Sequence, residues 1–413
     1  NPVHLRTRCN EEAKFMRVLR KTLVGLVFLV MQPLAPLVAQ VQIVDVPDYS
    51  WFAGCFGTAC GNLAGYWDRH GLPDFYTGHT AGGVAPLNDA GGVGIRSMWA
   101  SKAGFDGRPV TKPGHLDDYW QYYSSEFAYS YESTEADPYV LDGRAEHAPD
   151  CLGDFLGLSQ KKWTNMNGEC DGNIDGYGFV YWDKTGGKRV NYTPPPQGKV
   201  PVRDIQSGLR EWTWNRGYDS DVFTQLAAEI NPECPPGQGF TFDDLKAEID
   251  AGFPVLVMLQ APNDPYRALG NMPRANPEIH AVLAYGYDVW YDIPKVYLRF
   301  SWGTGEVIQT WSADSWLDWT YLPVRGVIGY HPRPKIKSIT RQGAELRLDW
   351  EGPAARVFNA ATGETTNVHR YQVEWSSSLN PARFSAVGAV TTGASVSVPA
   401  TPGFYRVSLL PRQ

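Results

Sequence analysis

The sequence has no surplus of positive charge and, beyond residue 39, no apolar run long enough to cross a membrane. It contains 37 Lys and Arg against 44 Asp and Glu. An acidic chain is poorly suited to binding nucleic acid or anionic lipid. A membrane span needs roughly 20 consecutive apolar residues, which the rest of the chain does not supply. We therefore expect no nucleic-acid partner and no membrane-embedded segment after residue 39.

The first 39 residues have the pattern of a targeting segment. Basic residues follow Met16, an apolar run extends over residues 23–31, and small residues lead to a cleavage position near Ala39. This order predicts a presegment with a secretory signal peptide, so that the protein is secreted, extracellular or at the cell surface. An uncleaved membrane anchor is the alternative. Without this segment the chain has 31 Lys and Arg against 42 Asp and Glu, a net charge of −11.

Cysteine is scarce, and its count is odd once the presegment is removed. The five cysteines that follow are Cys55, Cys60, Cys151, Cys170 and Cys234. In an oxidising compartment an odd count predicts two disulfides and one thiol. Cys151–Cys170 with Cys60–Cys234 is one of three pairings that leave Cys55 as a thiol. That thiol is either a nucleophile or an inert core residue.

Glycine, proline and aromatic residues are abundant, with 42 Gly, 31 Pro, 15 Trp and 22 Tyr. This composition favours a strand-rich α+β fold with long loops. We expect a first domain over residues 40–332, with a loop-rich insertion at about 76–240. Short alternating segments after residue 332, such as "ELRLDW" and "YQVEW", predict a small β-sandwich over residues 333–413. We find no cluster of catalytic residue types in this second region.

The stretch "GCFGTACGNLAGYWD" predicts a helix that begins near Cys55. Gly57, Gly61 and Gly65 recur at every fourth position, which puts them on one face and predicts a close approach by another backbone. A thiol in the first turn lies at the positive end of the helix dipole, where the thiolate is favoured. Cys60 lies too deep in the helix for this effect. Cys55 is therefore the candidate nucleophile.

This stretch resembles the nucleophile segment of papain-like cysteine peptidases of the bacteriocin-leader-processing group, family thirty-nine. The matching positions are Gly54, Cys55, Thr58, Ala59, Gly65, Tyr66, Trp67 and Asp68, while Gly57 stands where proline is usual. The resemblance implies a papain-like fold with Cys55 as the nucleophile. The C-terminal region resembles fibronectin type III-like modules of secreted bacterial proteins.

A second block supports the same resemblance. A helix, a glycine and the strand "PVLVML" precede "IHAVLAYGYDV", which resembles the strand that carries the general base of the family. The resemblance implies that His280 is this base. The family's third catalytic residue is usually Asp or Asn two positions before a Trp, and Phe300 stands there. Ser301 or Asp288 is the candidate substitute, and Asp48 or Tyr49 lies where an oxyanion-stabilising glutamine is expected.

The segment "DGNIDGYGF" has the spacing of an incomplete calcium loop. Asp171, Asn173 and Asp175 alternate before Gly176, but Trp182 stands where a calcium loop has its glutamate. A structural calcium ion is one interpretation, and a plain turn rich in Asp and Asn is the other.

These observations predict a secreted thiol hydrolase that cleaves a peptide or related amide and requires no cofactor. Its partners would be a peptide or protein substrate and, through the C-terminal module, a cell-surface or glycan ligand. The alternative is a papain-like fold with weakened or lost catalysis that serves as a binding module. A calcium-dependent adhesion module is a third hypothesis.

Overall fold

A computed structural model describes residues 40–50, 55–76, 84–89, 93–99, 151–156, 205–228, 234, 237, 239–260, 279–301, 304–311 and 324–410. Over these residues the fold is mixed, with few helices and many antiparallel strands, as the composition predicted. The helices are α1 (Cys55–Arg69), α2 (Val93–Arg96), α3 (Leu152–Leu156), α4 (Ile205–Asn215) and α5 (Phe242–Asp250), with a 3₁₀ helix at Ser97–Trp99. Within the described residues, no helix is long and apolar enough to cross a membrane.

The strands fall into one large sheet and two small ones. The first strands are β1 (Val41–Ile43), β2 (Ser220–Leu226), β3 (Val255–Gln260), β4 (Ile279–Trp290), β5 (Ile293–Arg299), β6 (Glu306–Thr310) and β7 (Val324–Pro332). The later strands are β8 (Lys335–Gln342), β9 (Glu345–Glu351), β10 (Arg356–Asn359), β11 (Glu364–Asn367), β12 (Tyr371–Ser376), β13 (Ser385–Ala386), β14 (Ser395–Pro399) and β15 (Phe404–Leu409).

The large sheet has nine strands in the order β11-β10-β1-β4-β3-β7-β2, with β5 on the other edge of β4 and β6 beside β5. Strand β4 is its centre, because β3 and β1 share one edge of it and β5 pairs along the other. Helix α1 packs against β4. Helix α5 begins at a capping box, in which Thr241 and Asp244 each bind the other's backbone N–H.

Gly61 and Gly65 of α1 have side chains, rather than another backbone, as their nearest neighbours. A β-carbon at Gly65 would lie 2.5 Å from Oη of Tyr49, and one at Gly61 would lie 2.7 Å from Cδ1 of Ile95. The expected close approach is therefore real, but the expectation of a neighbouring backbone at these two positions was wrong. A large aromatic ring needs as much room as a chain segment would.

The C-terminal region does form two three-stranded sheets, β13-β12-β15 and β14-β9-β8. Between them lies a small core of its own, centred on Leu348, Trp350, Tyr371, Val373 and Val398. These two sheets share that core, while the sandwich domain as such stays a prediction. No observation tests its kinship with fibronectin type III-like modules.

Strand pairing crosses the predicted boundary between residues 332 and 333. Strand β10 pairs with β1, with Gln42 opposite Phe358, so the hairpin of β10 and β11 extends the large sheet. His369 is also buried in the first region, where its ring lies 5.0 Å from that of Phe253 and 6.1 Å from that of Trp67. Strand pairing between segments over 300 residues apart leaves no mark in local composition, and the domain division itself stays a prediction.

Candidate functional site

Helix α1 begins at Cys55, as the sequence predicted. The Cys55 side chain is partly exposed, and it packs against the edge of the main core. The backbone N–H groups of a first helical turn lack partners within the helix, and the helix dipole is positive there. A sulfur in this position is stabilised as the thiolate, which is the nucleophilic form of cysteine.

Cys60 has a different environment, although it lies in the same helix. Its side chain is completely buried. Burial, and after it the neighbouring Cys55, raises the pKa of the Cys60 thiol well above its usual value. Cys60 therefore stays protonated near neutral pH, and of the two cysteines only Cys55 is suited to nucleophilic attack.

The expected disulfide between Cys60 and Cys234 is not formed. The four described cysteines Cys55, Cys60, Cys151 and Cys234 are thiols in this structure. The sulfur of Cys234 lies beside Gly239, close to the end of β2. Cys60 lies in the first half of α1, inside the main core. Cys170 and its expected bridge to Cys151 lie outside the described residues.

His280 lies at the beginning of β4 with only 1% of its surface exposed. Its Nε2 atom is 2.7 Å from the backbone carbonyl oxygen of Phe300. A carbonyl only accepts hydrogen bonds, so Nε2 carries the proton and donates it, and Nδ1 of the neutral ring bears the lone pair. Burial lowers the pKa of His280 to about 4, although the hydrogen bond to Phe300 acts in the opposite direction. The ring is therefore neutral at pH 7.

Cys55 begins α1 and His280 lies at the beginning of β4, and these two elements pack against each other. Near the other end of α1, Tyr66 donates from its hydroxyl to the carbonyl of Gly252, which precedes β3. Strand β3 then runs to Leu259, which is paired with His280. Helix α1 is thus anchored near the start of β3 and packed on the strand that carries His280.

Phe300 stands where the resemblance implies a third catalytic residue, and its backbone is what contacts the histidine. The side chain of a phenylalanine has no hydrogen-bond acceptor for an imidazole N–H. The carbonyl oxygen of Phe300 accepts this bond, and the phenyl ring packs beside the imidazole with 4.7 Å between ring centres. A carbonyl can fix the ring orientation and tautomer, but it supplies no formal negative charge.

The two candidate substitutes have different positions. Asp288 lies eight residues after His280 on β4, about 25 Å away at the usual rise of a strand. Its carboxylate accepts from the backbone N–H of Val289 at 2.7 Å and from Nε1 of Trp290 at 2.6 Å. Asp288 therefore does not reach His280. Ser301 directly follows Phe300 and is buried, and its hydroxyl has no hydrogen-bond partner among the described residues.

Neither Asp48 nor Tyr49 is placed to act as the expected oxyanion-stabilising side chain. The Asp48 carboxylate accepts from the backbone N–H of Gly305 at 2.6 Å and lies 3.6 Å from the Arg299 guanidinium. Tyr49 is completely buried and donates from its hydroxyl to Pro86. The backbone donors of the first turn of α1 are the better candidates for this role.

Arg299 belongs to a polar cluster that the sequence did not reveal. Its guanidinium lies 4.5 Å from the centre of the Tyr285 ring, and Tyr285 donates from its hydroxyl to Glu306 at 2.8 Å. Together with Asp48, these residues tie the segment after β1 to the segment between β5 and β6. They are ordinary alternating residues of strands and loops, so no local pattern distinguishes them.

The candidate calcium ligands Asp171, Asn173 and Asp175 lie outside the described residues. Within the part of the chain that is described, no group of three or more His, Cys, Asp or Glu residues is arranged to hold a metal ion. The calcium interpretation stays a prediction.

Comparison of the whole chain with protein-family models, curated proteins and solved structures gives no match. The arguments for a function therefore come from the residues themselves.

Proposed function

We propose that the chain is a secreted thiol-dependent hydrolase, a cysteine peptidase of papain-like fold, with Cys55 as nucleophile and His280 as general base. The observation that carries this proposal is the hydrogen bond from Nε2 of His280 to the carbonyl of Phe300. It holds the imidazole in the tautomer that leaves the lone pair on Nδ1. This is the protonation state that a general base needs.

The chemistry follows from these two groups. The proton of the Cys55 thiol passes to Nδ1 of His280 as the sulfur attacks an amide carbonyl carbon of the substrate. The resulting imidazolium then gives this proton to the leaving amine, and an acyl-thioester on Cys55 remains. Water, activated by the same histidine, hydrolyses the thioester and restores the thiol. The N–H groups at the start of α1 stabilise the oxyanion in both steps.

No cofactor takes part in this scheme, and the substrate is a peptide, a protein or a related amide. The β-sandwich contributes no residue to the chemistry, so we assign it to a cell-surface or glycan partner. A structural calcium ion in the insertion is compatible with this scheme.

A binding module with weakened catalysis is the second candidate, and the burial of His280 favours it. Catalysis requires His280 to become an imidazolium for a short time, and a ring with a pKa of about 4 is difficult to protonate. Its acceptor is also a neutral carbonyl, which stabilises an imidazolium less than a carboxylate would. In this alternative the Cys55 thiol has no role in the biological activity.

Alkylation of the native protein distinguishes the two candidates. We expect iodoacetamide at pH 7.5 to label Cys55 rapidly, while Cys60 in the same helix stays unlabelled and serves as the internal control. Peptide mapping reads both sites from one sample. His280→Gln should slow the labelling of Cys55, because glutamine can donate to the Phe300 carbonyl but cannot accept the thiol proton.

Two results would contradict the enzyme proposal. One is a Cys55 that reacts no faster than a thiol of a denatured chain. The other is a labelling rate that His280→Gln leaves unchanged, since the thiol would then not depend on the imidazole. Either result favours the binding module.

A further inference from the structure

Ser301 combines two unfavourable features in one residue. Its φ angle is +68°, in the left-handed region that residues other than glycine rarely adopt. Its side chain is 1% exposed, and its hydroxyl has no hydrogen-bond partner within the part of the chain that the structure describes. Both features cost free energy, and such costs persist mainly where the surrounding structure and the function require them. Ser301 directly follows the residue whose carbonyl binds the candidate catalytic histidine.

The backbone conformation of Ser301 explains why that carbonyl is available. Strands β4 and β5 pair up to Leu283 and Arg299. Continued pairing in this register would place Val282 opposite Phe300 and residue 302 opposite His280. The backbone groups of β5 beyond Arg299 would then lie in an extended ladder. The left-handed residue at 301 ends the extended conformation one residue after Phe300, and the Phe300 carbonyl binds the imidazole instead.

We propose that Ser301 is a positioning residue, whose left-handed backbone directs the Phe300 carbonyl onto Nε2 of His280 and so fixes the tautomer of that ring. The hydroxyl of Ser301 takes no part in this role. The inference rests on the proposed function for its catalytic meaning, because the tautomer decides which nitrogen can accept the thiol proton. The structural claim about the tautomer stands independently of catalysis.

Two substitutions at this position separate the backbone from the hydroxyl. Ser301→Gly removes the hydroxyl and favours a positive φ, whereas Ser301→Thr keeps a hydroxyl and disfavours a positive φ through its branched β-carbon. If the backbone conformation is what matters, glycine preserves the site and threonine disturbs it. If the hydroxyl is what matters, the order is reversed.

The matched control is Asp292, at the exposed turn between β4 and β5. It also has a positive φ, +65°, and it lies far from His280 at the other end of β4. Asp292→Thr imposes the same kind of backbone strain without touching the site. Any effect that it shares with Ser301→Thr is a general loss of stability.

The primary measurement is ¹⁵N NMR of the imidazole nitrogens at pH 7.5, which distinguishes a nitrogen that carries a proton from one that bears a lone pair. His280→Gln assigns the signals. We expect wild type, Ser301→Gly and Asp292→Thr to show His280 protonated on Nε2. In Ser301→Thr we expect a mixture of both tautomers and a Cys55 alkylation rate lowered by about fivefold or more, the factor that corresponds to the strain of such a residue.

Several results would overturn the proposal: an unchanged tautomer in Ser301→Thr, a changed tautomer in Ser301→Gly, or an equal change in Asp292→Thr. If Ser301→Thr does not fold, Ser301→Ala provides the same test, because its β-carbon also disfavours a positive φ, and a wild-type tautomer in it counts against the proposal. A correct tautomer pattern together with an unreactive Cys55 would refute the proposed function and leave the positioning role intact.

Discussion

Two buried histidines should make the stability of this protein fall steeply in mild acid. Burial lowers the pKa of His280 to about 4 and that of His369 to about 3. In the unfolded chain both rings have an ordinary pKa of about 6.5. At pH values between the native and the unfolded pKa, the unfolded chain therefore binds up to two protons more than the native protein does. Stability is unaffected above pH 7 and decreases as the pH falls below about 6.5.

The size of the effect follows from the same pKa values. Between pH 7 and pH 4.5, each histidine lowers the free energy of unfolding by about 2 to 3 kcal/mol, and the two together by about 5 kcal/mol. A domain is commonly stable by about 5–15 kcal/mol, so this loss is a large part of the total. Neither ring needs a correction for solvent, because His280 is 1% and His369 is 4% exposed.

The assay is urea unfolding, followed by tryptophan fluorescence, at a series of pH values between 4.5 and 8. His280→Gln and His369→Gln are the informative variants. Glutamine can donate to the Phe300 carbonyl at the first position, and at the second it can accept from the backbone N–H of Ala355, which binds Nδ1 of His369 at 3.0 Å. Between pH 7 and pH 4.5, each variant should lose about 2 to 3 kcal/mol less stability than wild type does.

Comparison of each variant with wild type isolates the histidine from the carboxyl groups, which titrate in all of them. Equal loss of stability in wild type and both variants between pH 7 and pH 4.5 would refute the reasoning. Such a result would mean that the native state accepts these protons as readily as the unfolded chain does.

Two further predictions concern packing. Gly65→Ala should lower the free energy of unfolding by about 1 kcal/mol in the same urea assay. Overpacking costs about 1–3 kcal/mol, and the higher helix propensity of alanine offsets about 1 kcal/mol of this cost. A gain in stability would contradict this, because it would mean that Tyr49, whose Oη lies 2.5 Å from the new carbon, moves away at little cost. A chain that ends at residue 332 should not fold into a stable large sheet, because β1 loses β10 and the core loses His369; a cooperative unfolding transition with wild-type midpoint in the truncated chain would contradict this.

The local elements could be predicted from the sequence because their signals are local. The helix at Cys55, the helix and strand before His280, and the alternating strands of the sandwich each have their periodicity within a dozen residues. Cys55 was singled out from its place at a helix start and His280 from the family resemblance of its strand, and their catalytic pairing stays a prediction.

The acceptor for His280 could not be predicted, because it is a backbone atom. Every residue has a backbone carbonyl, so the identity of Phe300 gave no indication of the contact. The strand pairing across the predicted domain boundary could not be predicted for a related reason. The composition does change after residue 332, but the pairing of β10 with β1 depends on which edge of the sheet is open, and this depends on the rest of the fold.

The position of β1 has a consequence for the order in which the fold can be completed. This strand lies between β4 and β10, so one neighbour begins at residue 279 and the other at residue 356. A polypeptide that emerges from its N-terminus can form α1 early, but the large sheet stays incomplete until nearly the whole chain has been synthesised. Cys55 would therefore gain its finished surroundings only at a late stage of synthesis.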